Sequence, residues 1–266
     1  MPDSALPASM LTLLSGTQVL ICRPEESARE LAQALSAIGA RCLSFPTLQI
    51  TETSISPADK QLILNLDQYQ HIIVTSQHAA RLALALIDTF WPQYPIQQSW
   101  YPIGEKTASL LNQENLRIIQ PDKALSSETL LGIAPLQKVK QQKVLILKGM
   151  EGRDTLAKTL RKRGALVDEL ALYQRSCPDY SRQDIQQALL DFQADYIVTL
   201  SGETLQNLIL LCDQADIDLS SRTFIVPSHR VANIAYQQGF KSVLIPANLK
   251  PIDLIKCIST HKKNIK

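Results

Sequence analysis

The sequence predicts an α/β protein built from two similar halves, each a parallel sheet flanked by helices. The first observation behind this prediction is an internal repeat. The run that begins at Val19 returns at Val144, and Gly39 returns at Gly164, both 125 residues later (144 minus 19 and 164 minus 39). The second is that short apolar runs alternate with helical patterns inside each repeat. Two copies are too few for a solenoid, so we expect a bilobal molecule with a cleft between its halves.

The first repeat predicts its elements in a regular order. Apolar runs, several of them rich in β-branched residues, indicate strands over 18–22, 41–50, 71–75, 100–103 and 117–119. Helical patterns cover 25–38, 60–66, 77–86 and 106–112, and the first of them places Leu31, Leu35 and Ile38 on one face before Gly39. Between 51 and 59, Ser, Thr and Pro residues indicate an exposed turn.

The second repeat follows the same order from 143 to 246, and a final helix is predicted over 252–259. Strands that alternate with helices form parallel sheets with right-handed crossovers. Such sheets bind ligands at the carboxyl ends of their strands. The residues that follow each strand are therefore the candidates for a binding site.

Composition excludes several classes of protein. The chain has 266 residues, of which 45% are hydrophobic and 20% charged, and this is typical of neither a disordered nor a membrane protein. The net charge of +2 (27 basic minus 25 acidic residues) is too balanced for a general nucleic-acid binder. No signal peptide or membrane span is predicted. We therefore expect a cytoplasmic protein that binds neither nucleic acid nor membrane.

Familiar catalytic and cofactor motifs are missing from the sequence. The five cysteines contain no Cys-x-x-Cys pair, which predicts free thiols in a reducing compartment and no metal site. No phosphate-binding glycine loop supports ATP or a dinucleotide, and no nucleophile elbow or Cys/His pair stands out. An enzyme with this sequence would work mainly by holding a reactive substrate in the right shape.

Small, hydroxyl-bearing or basic residues follow the predicted strands in both repeats, where each junction opens a helix. Helix N-termini carry unpaired N–H groups and can hold carboxylates or phosphates. Taken singly, each residue is more simply explained as an ordinary N-cap. Their recurrence at the strand ends of both repeats favours a ligand-binding site. The candidate contacts are Arg23, Thr75, Ser76, Gln77, Gly104, Thr107, Lys148, Gly149, Ser201, Gly202 and Ser228.

Several segments form a specific pattern when they are taken together. They are Val19-Leu-Ile-Cys-Arg-Pro, Thr75-Ser-Gln-His-Ala, Ile103-Gly-Glu-Lys-Thr-Ala, Val144-Leu-Ile-Leu-Lys-Gly with Gly152-Arg153, Gly164-Ala, Tyr173-Gln-Arg and Ser201-Gly-Glu. Each segment is a weak signal alone. In this order and spacing, over about 19–255, they resemble the uroporphyrinogen-III synthase family.

The resemblance implies a fold of two α/β domains joined by a two-stranded β linker, with the chain crossing between the domains twice. Placed on the repeat, the linker strands are expected over 41–50 and 166–174. One domain then combines 1–45 with 175–266, and the other covers 48–172. Each domain would thus take the front of one repeat and the back of the other.

The resemblance also implies a cyclising lyase that needs no cofactor. The family's substrate is hydroxymethylbilane, a linear tetrapyrrole with eight carboxylates. Loss of its hydroxyl gives an azafulvene cation, and closure through a spiro intermediate inverts ring D to give uroporphyrinogen III. Without an enzyme the symmetric type I isomer forms, so catalysis is control of geometry and exclusion of the competing closure. A monomer that receives its substrate by transient handover from the preceding pathway enzyme is expected.

Roles for single residues follow from the resemblance. Tyr173, on the second linker strand, is the expected catalytic residue, which would assist departure of the hydroxyl as a hydrogen-bond donor or general acid. Tyrosine is ordinarily a weak acid, so a modest rate effect is expected. Arg23, Lys148 and Arg153 would help to bind carboxylates. A structural role as a partner of the linker stays open for both Tyr173 and Arg23.

One junction departs from the family pattern. The family usually has Thr-Ser-Gly after the strand, whereas this chain has Leu200 before Ser201 and Gly202. Ser201 rather than Thr199 is therefore the expected ligand contact.

Two other classes of function stay open on the sequence. A noncatalytic bilobal protein that closes on an anionic ligand would show similar strand ends, although the joint presence of motifs on both sides of the cleft and of Tyr173 disfavours it. A regulator that joins this fold to a DNA-binding element is weaker, because the stretch before the first strand is short and uncharged for such an element.

Overall fold

The computed structural model describes residues 12–114, 116–121, 126–152 and 154–265, without the side chains of residues 26, 27 and 265. The chain forms two compact units. The first contains the chain up to Gln49 and from Ser176 onward, and the second is the continuous segment Ile50–Arg175.

Strands and helices alternate along most of the described chain. The strands are β1 (Gln18–Ile21), β2 (Arg41–Ser44), β3 (Gln49–Glu52), β4 (His71–Val74), β5 (Ser99–Pro102), β6 (Lys143–Gly149), β7 (Leu166–Ser176), β8 (Tyr196–Val198), β9 (Thr223–Ile225) and β10 (Ser242–Leu244). The helices are α1 (Glu25–Ser36), α2 (Pro57–Leu64), α3 (Gln77–Phe90), α4 (Glu105–Asn112), α5 (Ser127–Leu131), α6 (Ala134–Gln137), α7 (Thr155–Lys162), α8 (Arg182–Gln186), α9 (Gly202–Ala215), α10 (His229–Gln237) and α11 (Pro251–Ile265).

The sheet of the first unit has the order β10-β9-β8-β1-β2, and its strands are parallel. It combines the first two strands of the first repeat with the last three of the second. Helices cover both faces. On one face Leu205 of α9 and Val231 of α10 join the core, and on the other Leu35 of α1 and Leu254 of α11 do so.

The sheet of the second unit has the order β3-β7-β6-β4-β5. The strands β7, β6, β4 and β5 are parallel. At the edge, β3 runs against β7: the Gln49 side chain donates to Ser176 Oγ at 3.0 Å, while Thr53 N donates to Leu172 O at 3.0 Å. The two passages of the chain between the units lie in these neighbouring strands, β3 and β7.

The central strands are apolar because helices cover both of their faces. In β4 all four residues, His71 to Val74, are buried. Ile72 faces the core formed with α2 to α4, whereas Ile73 faces the core formed with α5 to α7. The predicted α/β class, with parallel sheets flanked by helices, is confirmed. No helix among the described residues is both long and apolar enough to cross a membrane.

The strand predicted over 41–50 is interrupted in the structure. It forms β2 in one sheet and β3 in the other, and residues 45–48 between them are not in a strand. Pro46 has no N–H for a strand ladder. Thr47 is fully buried, its hydroxyl donates to Thr204 O at 2.8 Å, and its carbonyl accepts from Asn207 at 2.6 Å. Tertiary contacts with α9 therefore replace strand pairing here.

The strand predicted over 117–119 is reduced to one bridge. Ile118 pairs in parallel with Trp100 of β5, and this pair stays isolated. Trp100 N donates to Arg117 O at 2.9 Å and Ile119 N donates to Trp100 O at 2.8 Å, so the segment extends the sheet by only a short stretch.

A buried histidine opens β4. Nδ1 of His71 lies 2.8 Å from the Tyr101 hydroxyl, and its Nε2 lies 2.7 Å from Oε1 of Gln142. Burial lowers the pKa of His71 below its ordinary value of 6.5, although the Gln142 hydrogen bond opposes this effect. The folded protein therefore favours the neutral ring.

We expect His71→Gln to flatten the pH dependence of stability. Because the pKa of His71 is depressed in the folded state, the unfolded chain takes up the proton first, and stability is lost as pH falls below about 6.5. Replacing the ring should reduce the slope of unfolding free energy between about pH 7 and 5 by up to about 1.4 kcal/mol per pH unit, measured by denaturant titration. A slope equal to that of the unsubstituted protein would contradict this.

Candidate active site

Tyr173 lies near the carboxyl end of β7, in the second unit. Its side chain is buried, with 4% of its surface exposed. Its hydroxyl lies 3.0 Å from Ser76 Oγ, although the two residues are 97 positions apart in sequence. The His78 ring packs edge-on against it, with 5.8 Å between ring centroids. The structure thus brings two of the sequence-predicted site residues, Tyr173 and Ser76, into direct contact.

Gly149 adjoins the same ring from β6. The pairing of β6 with β7 is regular up to Lys148 opposite Ala171 and then shifts, so that Gly149 faces Tyr173. Such an irregularity is a β-bulge, which redirects the side chains of the bulged strand. Gly149 is buried, and its position brings a third predicted residue to Tyr173.

The N-terminus of α3 adjoins this cluster. Ser76 is its N-cap, and its Oγ accepts from Ala79 N at 3.1 Å. Gln77 is the first residue of the helix and is half-buried. The Thr75 hydroxyl donates to the Leu147 carbonyl at 3.2 Å. Backbone N–H groups of the first helical turn remain available for an anion.

Thr75 and Lys148 also line a cavity of about 420 Å³ on the α5-to-α7 side of the same sheet. There Lys148 Nζ donates to Glu169 Oε2 at 3.0 Å and lies 3.9 Å from Asp154 Oδ1, while Arg161 donates to Glu169 Oε1 at 2.9 Å. Burial pushes the pKa of Glu169 upward, but the bonds from Lys148 and Arg161 outweigh it and hold that pKa below its ordinary value. The Lys148 charge is therefore already paired.

Gly104 and Thr107 have roles in the backbone and core of the second unit. Gly104 precedes α4 with a φ of 90°, a conformation that glycine adopts without strain. Its carbonyl accepts from Ala108 N at 3.1 Å. Thr107, in the first turn of α4, is buried with 2% exposure.

Arg23 follows β1 in the first unit and is half-buried. Burial lowers the pKa of its guanidinium, with Glu30 acting in the opposite direction. Within the described part of the chain, no hydrogen bond or ion pair engages its side chain. A partly desolvated, unengaged guanidinium is well suited to bind a carboxylate.

The other strand ends of the first unit open α9 and α10. Ser201 caps α9 in a reciprocal capping box with Thr204, so its hydroxyl is engaged by the helix. Ser228 precedes α10 and its side chain makes no capping hydrogen bond. The Arg230 guanidinium lies over Gly202, 3.6 Å from where a Cβ would stand on that glycine.

Some site features could not be found in the sequence. Glu169 and Arg230 become relevant only through contacts made by the fold, whereas His78 could have been included because it follows Ser76 and Gln77 directly. Arg153, predicted to bind carboxylates, lies outside the described residues. Among the residues that are described, no group of three or more His, Cys, Asp or Glu side chains could hold a metal ion.

The sequence is similar to enzymes of known activity. Residues 6–256 match the family described as uroporphyrinogen-III synthase HemD. Uroporphyrinogen-III synthase of Proteus mirabilis is 31% identical over 198 residues, covering 72% of this chain and 96% of the relative. That of Salmonella typhimurium is 28% identical over 243 residues, covering 90% and 99%.

The fold is similar to solved structures of low sequence identity. A mutant uroporphyrinogen III synthase of Thermus thermophilus matches with a TM-score of 0.60 at 15% identity, covering 94% of this chain and 99% of the other. The Helicobacter pylori uroporphyrinogen-III synthetase matches with a TM-score of 0.55 at 12% identity, covering 93% and 99%. With a family match over nearly its whole length, the chain belongs to the uroporphyrinogen-III synthase family.

Proposed function

We propose that Tyr173 and the strand-end residues carry out the uroporphyrinogen-III synthase reaction of this family, a lyase reaction of heme biosynthesis. The substrate class of the family is a small tetrapyrrole, and we propose hydroxymethylbilane as the molecule bound. The observation that carries the proposal is the buried Tyr173 phenol, held at a strand end with its hydroxyl 3.0 Å from Ser76.

Tyr173 acts on the leaving hydroxyl in this proposal. Expulsion of hydroxide from the hydroxymethyl carbon is unfavourable, and a proton donated to its oxygen lets it depart as water. The pyrrole nitrogen supplies the electron pair that forms the azafulvene. The remaining task is geometric, because ring D must attack through its substituted carbon, and positioning alone can lower a barrier by about 7–11 kcal/mol.

Carboxylate binding is assigned to each unit separately. In the second unit the N-terminus of α3, with Ser76 and Gln77, and the turn at Gly104 offer backbone N–H groups. In the first unit we assign this role to Arg23 and to the N-termini of α9 and α10. Thr75, Thr107, Lys148, Gly149 and Arg153 stay predicted substrate contacts, Lys148 with its charge shared with Glu169.

Compartment and assembly belong to the same proposal. The five cysteines are free, and Cys22 and Cys212 are buried. Burial raises the pKa of the Cys212 thiol to about 12, with the carboxylates of Asp213 and Asp218 adding to the effect. Unoxidised thiols support a reducing cytoplasm. A monomeric state, and handover of hydroxymethylbilane from the preceding enzyme, stay predictions.

We expect Tyr173→Phe to lower kcat roughly tenfold to a hundredfold without abolishing turnover, since positioning survives and proton donation is lost. The measurement is to supply freshly made hydroxymethylbilane and separate the oxidised porphyrin isomers. The matched control is Tyr180→Phe, which loses a hydroxyl bonded to Pro46 O at 2.9 Å in the first unit and should keep kcat. Full kcat in Tyr173→Phe would remove the phenol from the mechanism.

The same assay separates the enzyme from a noncatalytic binder. Type III product made faster than the spontaneous closure supports the synthase. Type I product alone, at the spontaneous rate, would leave only a binding protein.

We expect Arg23→Gln to raise KM about tenfold with little change in kcat. A charge-assisted hydrogen bond to a carboxylate contributes about 1.5–3 kcal/mol, and about 1.4 kcal/mol corresponds to a tenfold change. Arg29→Gln is the matched control, because Arg29 lies on the exposed side of α1 and pairs with Glu25 at 3.6 Å. Equal KM values for Arg23→Gln and Arg29→Gln would contradict the assignment.

A further inference from the structure

We infer that Ser76 and Gly149 are positioning residues for Tyr173, and that Ser76 donates its hydroxyl proton to the phenol oxygen so that the phenol's own proton is free for the substrate. The inference deepens the proposed function and rests on it, because it presumes that Tyr173 protonates the leaving hydroxyl. The Ser76 hydroxyl and the missing side chain of Gly149 then act on Tyr173, while the backbone N–H groups of both residues stay available for substrate contacts.

The bulge in β7 places the Tyr173 ring on its side of the sheet. Side chains alternate between faces along a regular strand, so Tyr173 should face away from Leu170 and Leu172. All three instead belong to the same core. Leu172 is the residue skipped when pairing shifts from Lys148–Ala171 to Gly149–Tyr173, and Met150 N then donates to Tyr173 O at 2.7 Å. The extra residue turns the phenol towards Ser76.

Gly149 provides the space that the redirected ring occupies. A Cβ on Gly149 would lie 2.7 Å from Cζ and 2.8 Å from Cε2 of Tyr173, and 3.1 Å from its hydroxyl oxygen. Separations under 3.0 Å require one group to move. Gly149 does not have a positive φ, so its backbone conformation does not require glycine. The close approach of the Tyr173 ring is what requires glycine at this position.

Ser76 has the hydrogen-bonding capacity to direct the phenol proton. Its Oγ accepts from Ala79 N at 3.1 Å, which uses one lone pair and leaves its own proton free. The remaining contact is to Tyr173 Oη at 3.0 Å, where either atom can donate. If Ser76 donates, the Tyr173 O–H can point at a ligand. The same bond, beside the positive end of α3, stabilises the phenolate that remains after proton transfer.

The proton from Tyr173 leaves with the hydroxyl oxygen of the substrate in this mechanism. The C–O bond of the hydroxymethyl group breaks, its electron pair leaves with the oxygen, and the Tyr173 proton completes a water molecule. The pyrrole nitrogen lone pair forms the new C=N bond of the azafulvene cation. The substituted carbon of ring D then forms a C–C bond to the azafulvene carbon, which gives the spiro intermediate, and its bond to the original methylene bridge breaks. That methylene forms a C–C bond to the unsubstituted carbon of ring D, and this carbon releases one proton, which restores the Tyr173 phenol.

Three substitutions of Ser76 separate its effect on the Tyr173 proton from its effect as the N-cap of α3. Ser76→Ala and Ser76→Gly both remove the hydroxyl, but glycine is a much better N-cap than alanine, whereas Ser76→Thr keeps both functions. We expect kcat to fall about threefold to tenfold in Ala and Gly alike, with KM unchanged, and to be retained within twofold in Thr. Thermal midpoints should instead fall clearly in Ala and little in Gly.

Combining the Ser76 substitutions with Tyr173→Phe tests whether Ser76 acts through the Tyr173 phenol. If Ser76 acts through the phenol, Ser76→Gly lowers kcat no further once Tyr173→Phe is present. Multiplicative losses, or full kcat in Ser76→Gly alone, would overturn the inference. Full kcat in Tyr173→Phe would instead remove the phenol from the proposed mechanism, and type I product alone from the unsubstituted protein would overturn the proposed function, so these failures are distinguishable.

We expect Gly149→Ala to lower kcat about as far as Tyr173→Phe does and to lower the thermal midpoint, because the methyl group displaces the ring. In a Tyr173→Ala background the methyl has room, so the same substitution should no longer lower the midpoint. Equal losses of midpoint in both backgrounds, or no loss of kcat, would contradict the role given to Gly149.

Discussion

The parallel register between β4 and β6 is the constraint on which the candidate active site depends. Val74, the last residue of β4, lies opposite Leu147 of β6, and Leu147 lies opposite Leu170 of β7. Beyond this level β6 and β7 continue to Gly149 and Ser176. This register brings together Ser76, which follows β4, Gly149, the last residue of β6, and Tyr173, near the carboxyl end of β7. The central residues of these strands are mostly apolar, since helices cover both faces of the sheet. They fix where the polar ends lie, and a shift of one residue in β6 would remove Gly149 from the ring that needs its space.

Serine hydroxyl groups at strand ends can cap the helices that follow them, and the surrounding fold determines which of them also contact other side chains. Ser201 is engaged in a capping box with Thr204. Ser76 caps α3 and also reaches Tyr173, and Ser228 makes no capping bond at all. In sequence all three follow an apolar run and precede a helix. Their different chemistry arises from what lies opposite each one, and only for Ser76 is this a phenol, which comes from β7, two strands away in the sheet.

The fold class could be predicted because it depends on local patterns of apolar residues in the sequence. Apolar runs for β1, β4, β6 and β8 recur at a constant spacing, and this indicates parallel sheets without knowledge of any contact. The interruption after Ser44 could not be predicted, since it depends on Thr47 bonding to a helix that begins at Gly202. The bulge in β7 and the pairing of Lys148 with Glu169 are hidden for the same reason: both depend on the register between strands. The sequence therefore predicts which residues lie near the site, because they follow strands. The role of each residue can be assigned only from its contacts in the structure.

The repeat in the sequence and the units in space do not coincide, and this has consequences for how the chain reaches its fold. The second unit, Ile50–Arg175, is continuous and holds Ser76, Gly149 and Tyr173. The five strands of its sheet lie within this segment, except for Gln49 at the start of β3 and Ser176 at the end of β7. The first unit is discontinuous: β1 pairs with β8, with Val19 opposite Tyr196. Until β8 is available, β1 keeps one edge unpaired and its apolar residues lack half of their core. Pairing of such high sequence separation is slow, because the chain must close a long loop before any contact rewards it. The strand pairs that carry the Tyr173 cluster are closer in sequence, with Val74 opposite Leu147 and Leu147 opposite Leu170. The cluster therefore requires closure of shorter loops than the pairing of β1 with β8 does.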